Sequence, residues 1–462
     1  MTYTLQNRWR IEKGKLYYYG MRKAQFLLKN SYRISKKERA LISALPKALD
    51  QDELDSLRRL IEEGIVVRLE ARRRTPRTLD EATFCRTCAA NDFTIPGLEL
   101  DDEGVCPMCA SKDRVQGFRS VLPVMNDFPR SRRSRFDVAL FYTGGKDSSF
   151  LLHYLANVCD LNVLALTWEI PYMSESAKKS IERAKQKCPN VEFINRKMPD
   201  RTLARVYHRL YELEGNTCAC PSLAYILFYP ELVDLRVPYF VLGNEPVQML
   251  NLYYNRLAPS IAYQKKAHRL MGVAYNALRL LTLRKPFKKG QLQAHLTMRQ
   301  LAYGDPFIKR ISGYQNDLVK HVTEAIREVP EMLLPLKRAL RRSHTPAFVH
   351  VDFNDISGGK YDWRSAKDLI REKIGWVEPK EASKGLHTSC TIERCKEYSQ
   401  FKNFYEMRSR MIPFSAIEIA LSVSMGHASR DEAINEIRDM GFSLTEIPEC
   451  RIMKDYLNRV NG

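Results

Sequence analysis

No apolar run in this 462-residue chain is long enough to cross a bilayer; the longest, Ile412 to Met425, is short and carries Glu418. The stretch Met1 to Arg8 lacks the apolar centre of a secretory signal, so a cytoplasmic protein without a membrane span is expected. Acid is in deficit: 54 Asp and Glu stand against 74 Lys and Arg, a net charge of +20. The bases cluster at Arg72 to Arg74, at Arg130 to Arg135 and along Arg279 to Arg299. Such a surface suits an acidic ligand, a nucleotide or a nucleic acid such as tRNA, although charge runs are often only solvated faces. Two nucleotide-binding signatures are also missing. Nothing matches G-x-x-x-x-G-K-[ST], and the one glycine-rich loop lacks the third glycine of the dinucleotide fingerprint.

That loop is nonetheless the most informative stretch. Phe136 to Tyr142 is almost wholly apolar and predicts a buried parallel strand. It breaks into Thr143, Gly144, Gly145, Lys146, Asp147 and Ser148, after which Phe150, Leu151, Leu152, Tyr154 and Leu155 predict a helix. A strand, a glycine loop and a helix form an anion cradle: glycines let backbone N–H groups turn inward, and the helix N-terminus adds positive potential. Lys146 would add a mobile cation for a pyrophosphate group.

Eleven cysteines in a chain expected to be cytoplasmic argue for metal or catalysis over disulfides. Cys85 and Cys88, then Cys106 and Cys109, have the spacing of a four-thiolate zinc ribbon, with Gly97 and Gly104 permitting its turns. A closed set of four thiolates predicts a structural Zn2+ whose binding supplies folding energy. Cys218 and Cys220 precede a predicted helix, where a thiol could be nucleophilic or metal-binding, or simply a small apolar residue. The same alternatives stand for Cys390 and Cys395, while Cys159, Cys188 and Cys450 read as packing residues.

The expected fold class is α/β: a parallel sheet with helices on both faces, preceded by a small module and a zinc ribbon and followed by a helical C-terminal region. Residues 1–80 should form the first module, 84–112 the ribbon, 113–345 the ATP-binding α/β domain with a basic helical insertion, and 346–462 the mostly helical remainder. In the first module, helices are predicted over Ser35 to Leu45 and Asp50 to Gly64, followed by a strand from Ile65 to Glu70. This order resembles winged-helix modules, including those that bind leader peptides in peptide-modifying enzymes; a scaffold for oligomerisation would read the same. In the α/β domain, strands are predicted at Asn162 to Trp168, Val191 to Ile194 and Pro238 to Glu245, with helices at Ser174 to Lys187, Pro199 to Leu213 and Ser222 to Leu235. Ligands of such sheets sit at the carboxyl ends of the strands, which puts the 143–148 loop, Glu169 and Gly243, Asn244 and Glu245 on one rim. Beyond residue 360, helices are predicted over 364–376 and Phe414 to Met425, and Ser429 with Glu432 marks a capping box expected to open the final helix.

The loop resembles the S-G-G-x-D-S loop of the PP-loop ATP pyrophosphatases, with Thr143 supplying the first hydroxyl. Several further segments resemble one group of that superfamily, the N-acetyl sugar amidotransferases of surface-polysaccharide biosynthesis. They are Cys85 to Cys88, Ile95 to Gly97, Asp101 to Cys109, Gly243 to Glu245, Tyr361 to Trp363, Gly375 with Trp376, and Ser429 to Ala433. The resemblance spans about 84–250 and 355–440. It does not include the N-terminal module or the basic region 246–345, so the acceptor could instead be a peptide or another amide.

The resemblance implies an enzyme that cleaves ATP to AMP and pyrophosphate while activating an amide or carbonyl oxygen, such as the acetamido oxygen of a nucleotide-linked sugar. Ammonia from a separate glutaminase would displace AMP, since no glutaminase motif is visible. Residues 143–148 and 243–245 would hold ATP and its Mg2+; Lys146 would neutralise the leaving pyrophosphate, and Asp147 would orient the loop or reach the metal. A rival resemblance is to ATP-dependent sulfurtransferases of tRNA thiolation, in which Cys218 or Cys220 would carry sulfur. A nucleic-acid-binding module with a vestigial loop is the non-enzymatic alternative. A sulfonucleotide reductase shares the fold, but no matching C-terminal cysteine motif is visible.

Overall fold

A computed structural model describes residues 1–22, 31–111, 123–214, 220–255, 265–304, 317–379, 390–445 and 451–461. The chain forms two compact units, one from residues 1–116 and 397–448, the other from 117–396 and 449–462.

In the first unit, strands β1 (Thr2–Leu5), β2 (Trp9–Glu12), β3 (Lys15–Tyr18), β4 (Ser31–Arg33), β5 (Lys47–Ala48) and β6 (Val66–Arg68) make two small antiparallel sheets, ordered β5-β1-β6 and β2-β3-β4. The two expected helices are present as Lys36–Ser43 and Gln51–Glu62, each opened by a capping box, from Ser35 and Asp50 respectively. Trp9, Leu16, Tyr32, Leu57, Leu60 and Val66 bury one core between sheet and helices. The Arg8 guanidinium is buried and donates to the carbonyls of Phe404 and Tyr405 at 2.6 and 2.5 Å. It thereby satisfies the C-terminal carbonyls of the helix Glu393–Tyr405.

The second unit is built on a five-stranded parallel sheet ordered β11-β10-β7-β8-β9, from β7 (Val138–Phe141), β8 (Val163–Glu169), β9 (Val191–Lys197), β10 (Tyr239–Asn244) and β11 (Ala347–Asp352). Alternate strand residues enter different cores, as a sheet covered on both faces requires. Ala139, Leu164, Leu166, Phe240 and Phe348 pack among the helices Asp200–Glu214, Cys220–Asp234, Gln291–Tyr303 and Pro330–Arg341. Val138, Leu140, Val163, Ala165, Val241 and Val349 face the helices Lys146–His153, Glu175–Lys187 and Trp363–Lys373. The chain is therefore mixed α/β with helices on both faces of a parallel sheet.

Two expectations need correction. The boundary at 345 would cut the sheet, because β11 lies beyond it and completes the edge beside β10. The helix capped by Ser429, Arg430–Met440, is also not the final one, since Arg451–Asn461 follows and buries Met453, Tyr456 and Leu457 in the core of the second unit. The expected helices over 364–376 and Phe414 to Met425 are found at Trp363–Lys373 and Phe414–Ser424. Among the described residues no helix is long and apolar enough to cross a membrane.

Candidate active site and metal centre

Strand β7 stops at Phe141, and the chain turns through Thr143, Gly144 and Gly145 into the helix Lys146–His153. Two hydroxyls cinch this turn. Thr143 N–H donates to Ser148 Oγ at 3.3 Å, Gly145 N–H donates to Thr143 Oγ1 at 3.3 Å, and Ser148 Oγ donates to the Gly145 carbonyl at 3.1 Å. Gly144 has φ +71°, and a Cβ there would lie 2.4 Å from the Ala177 carbonyl oxygen, so only glycine fits. Gly145 is the N-cap and supplies no capping side chain to the helix N-terminus.

Chain order reverses about β7, with β8 on one side and β10 on the other, so the crevice between β7 and β10 is the switch point of the sheet. Lys146 reaches across it. Its Nζ is 2.6 Å from Asp147 Oδ1, forms an ion pair with Glu245 Oε1, and lies 3.4 Å from the Tyr361 hydroxyl. Tyr361 donates to Glu245 Oε1 at 2.8 Å, and Gln248 Nε2 donates to Asp147 Oδ2 at 2.8 Å. The ammonium and both carboxylates retain under a fifth of their side-chain exposure, enough to be reached from solvent but not fully screened by it. Burial, then the Asp147 and Asp362 carboxylates, push the Tyr361 phenol well above its ordinary value, so it is a hydrogen-bond donor at neutral pH.

Other expected residues fall out differently. Gly243 lies within β10, and a Cβ there would meet the Phe353 ring at 2.4 Å; its bareness serves the packing of Phe353 under the rim. Asn244 ends β10 in register with Asp352. Glu169 ends β8 and accepts from Asn195 Nδ2 at 3.1 Å, away from the loop and towards β9. There it lines a cavity of about 780 Å³ with Ile170, Met173, Lys197, Tyr456 and Arg459. Cys218 lies outside the described residues, and Cys220 opens the helix Cys220–Asp234. Cys390 bridges to Met173 and its thiol lies 3.7 Å from Glu393, a packing position at the edge of the core. Cys159 and Cys188 pack in the other core, where burial raises both thiols and keeps them protonated; Cys450 lies outside the described residues.

Gln248 and Tyr361 are site residues that the sequence did not assign. Gln248 had a signal: Glu245-Pro246-x-Gln248 has an N-cap acid, proline at the first helical position and glutamine at the third. The Glu245 N–H indeed donates to Gln248 Oε1, at 3.3 Å. Tyr361 is 215 residues from the lysine it approaches, and no local pattern announces that contact.

In the first unit, the sulfur atoms of Cys85, Cys88, Cys106 and Cys109 all lie within 4.8 Å of one another, three of the residues being buried. Four sulfurs at Zn–S bond length on a tetrahedron are about 3.8 Å apart, and Cys88 Sγ and Cys106 Sγ are 3.7 Å apart. The group could therefore hold a metal ion such as zinc. The four thiols hydrogen-bond to one another, which pulls Cys85 and Cys109 down and pushes Cys88 and Cys106 up. Cys106 N–H donates to Cys85 Sγ at 3.3 Å and Ala90 N–H to Cys88 Sγ at 3.4 Å, contacts that orient thiolates. Gly104, two residues ahead of Cys106, adopts φ +76°, and Gly97, in the connection between the two knuckles, φ +78°. The cluster is also covered: Ala89 packs with Ile419, Ala433 and Ile437, and Arg430 donates to the Cys85 carbonyl at 3.0 Å.

No family model and no curated protein sequence matches this chain.

Proposed function

We propose that the chain is a PP-loop-type enzyme that cleaves ATP to AMP and pyrophosphate while adenylating an amide or carbonyl oxygen, for displacement of AMP by ammonia from a separate glutaminase. The observation that carries this reading is Lys146, held at the switch point by Asp147 and Glu245 beside a glycine turn that no other residue could make. A structural turn alone would need neither an ammonium nor two carboxylates, more than four-fifths buried and mutually paired.

The donor set fits the expected ligand. Backbone N–H groups and the hydroxyls of Thr143 and Ser148 suit phosphate oxygens, and Mg2+ is usually held by one or two carboxylates with substrate phosphates, roles open to Asp147 and Glu245. Bound Mg2+ would supply charge neutralisation at the phosphates. With the carboxylates so engaged, Lys146 would exchange them for the leaving pyrophosphate, while Tyr361 and Gln248 keep Glu245 and Asp147 in place. The cavity at the ends of β8 and β9 offers nucleotide-sized room on the same rim. The acceptor is proposed to be the N-acetyl group of a nucleotide-linked sugar. The four cysteines are proposed to hold a structural Zn2+, and residues 1–80 to be a winged-helix-like module.

A second reading is ATP-dependent sulfur transfer by Cys218 or Cys220, the latter opening the helix Cys220–Asp234. One assay separates the two. ATP is incubated with ammonium or with a sulfide donor, and with UDP-N-acetyl sugars or tRNA, and the nucleotide products are resolved. AMP and pyrophosphate stimulated by ammonium and a sugar nucleotide are expected. Stimulation by sulfide and tRNA would choose the rival, and ADP or no cleavage under any pairing would sink the adenylating reading.

A further inference from the structure

Between Glu245 and Asp305 the chain has ten Lys or Arg and no acid. Within this span the helix Lys265–Leu281 packs Met271 and Tyr275 against Leu292 and Leu296 of the helix Gln291–Tyr303. Its opposite face is apolar and open. Leu270, Val273, Leu278 and Leu281 follow one another at three- to five-residue steps and are 71, 61, 55 and 82% exposed. The stripe ends in a turn where Leu283, at φ +55°, is 98% exposed, followed by exposed Arg284 and Lys285. Of the eleven large apolar side chains exposed among the described residues, six (Leu270, Val273, Leu278, Leu280, Leu281 and Leu283) belong to this helix and the turn after it.

Isolated exposed leucines need no explanation, but a helical stripe of them beside bases does. We propose that this face docks the protein on an anionic lipid surface, the leucines entering the headgroup boundary and the bases meeting lipid phosphates. An interfacial helix of this kind carries an apolar face flanked by Lys and Arg, and anionic lipids attract each nearby base. Arg269 flanks the stripe, while Arg284, Lys285, Lys288 and Lys289 lie exposed at its end. A second copy of the chain is disfavoured, because a self-paired patch with bases at both ends and no acid would bring the bases of one copy against those of the other. Nucleic acid would match the bases but leave the aliphatic stripe without a partner, since bases stack on aromatic rings. Arg279 is a strut of the turn itself: its guanidinium lies 3.7 Å from the centre of the Phe287 ring, and Nε donates to the Lys285 carbonyl at 2.8 Å.

The test is sedimentation of the full chain with vesicles of phosphatidylcholine alone or mixed equally with phosphatidylglycerol. Binding to the mixed vesicles only, weakened by molar salt, is expected. Leu281→Glu with Leu283→Glu should lower the vesicle-bound ratio by at least about tenfold, with the circular dichroism melt unchanged because both side chains are exposed. Arg284→Glu with Lys285→Glu should lower it by about ten- to a hundredfold. Equal binding to both vesicle types, no binding to either, or leucine variants that bind like wild type would overturn the proposal. So would a dimer in sedimentation velocity that the leucine substitutions dissociate, or tRNA binding that only the charge reversals abolish in a chain that ignores vesicles.

Discussion

The Tyr361 hydroxyl donates to Glu245 Oε1 at 2.8 Å, tying the residue just after β10 to the turn ahead of the helix Trp363–Lys373. It also stands 3.4 Å from Lys146 Nζ, so one phenol touches both members of the ion pair at the switch point. Tyr361→Phe removes that bond and little volume. A hydrogen bond to a charged group contributes about 1.5–3 kcal/mol, so ATP cleavage should fall roughly ten- to a hundredfold with the thermal midpoint nearly unchanged. Because Tyr361 titrates well above the ordinary phenol range, this loss should be the same from pH 6 to 9; a wild-type profile that declines in parallel with tyrosine ionisation near neutrality would count against it.

Lys146→Ala and Asp147→Ala should each abolish AMP and pyrophosphate formation. Both side chains sit on the rim and not in either core, so the circular dichroism spectrum should not change. Turnover like wild type in either variant would refute the assignment of the loop.

Gly144→Ala should act on stability first. A left-handed φ costs a non-glycine residue about 1–2 kcal/mol, and here the added Cβ also meets backbone, the Ala177 carbonyl, at 2.4 Å. A loss of at least ~2 kcal/mol in urea unfolding is expected. Gly243→Ala should cost about 1–3 kcal/mol by overpacking Phe353, and its effect should be eased by Phe353→Leu, which the Gly144 variant would not feel.

Cys106→Ser should release the metal and destabilise the first unit. Metal content by mass spectrometry and protease resistance of residues 1–116 report the two effects separately. Unchanged metal stoichiometry would remove the four-thiolate site.

His295 is packed between Tyr275 and Phe287, and burial, followed by Arg299, Arg279 and Arg284, holds its imidazole at about 4. The folded state therefore binds fewer protons than the unfolded state, whose histidine titrates near 6.5. The associated stability is complete above about pH 6.5 and is lost as pH falls towards 4, by at most ~3 kcal/mol. His295→Phe should flatten the thermal midpoint over that window; an unaltered acid slope would show that other groups set it.

The sheet was legible because its strands are buried on both faces and read as continuous apolar runs separated by amphipathic helices. Ser35, Asp50 and Ser429 were legible as caps because capping is local chemistry, and each does accept the helix N–H its position implies. The four cysteines and the glycine turn were legible because spacing alone brings their atoms together. Tyr361 was not, since its partners are 116 and 215 residues away. The helix Arg451–Asn461 could have been found: Met453, Tyr456, Leu457 and Val460 keep the spacing of one buried face. Strand β11 could also have been found: Ser343, Thr345 and Pro346 punctuate the chain just ahead of the largely apolar run Ala347 to Val351.

Both units are discontinuous in sequence, and this sets an order on their assembly during synthesis. The cysteine cluster is complete by residue 109, yet Ile419, Ala433 and Arg430, which cover it, emerge only after the 280 residues from 117 to 396 have been made. At translation rates of about 5–20 residues per second that interval is roughly 15–60 seconds. Through it the nascent first unit has its thiols in hand and its lid still unmade, so metal capture by the ribosome-bound chain, rather than by the finished fold, would be what shields those cysteines from oxidation.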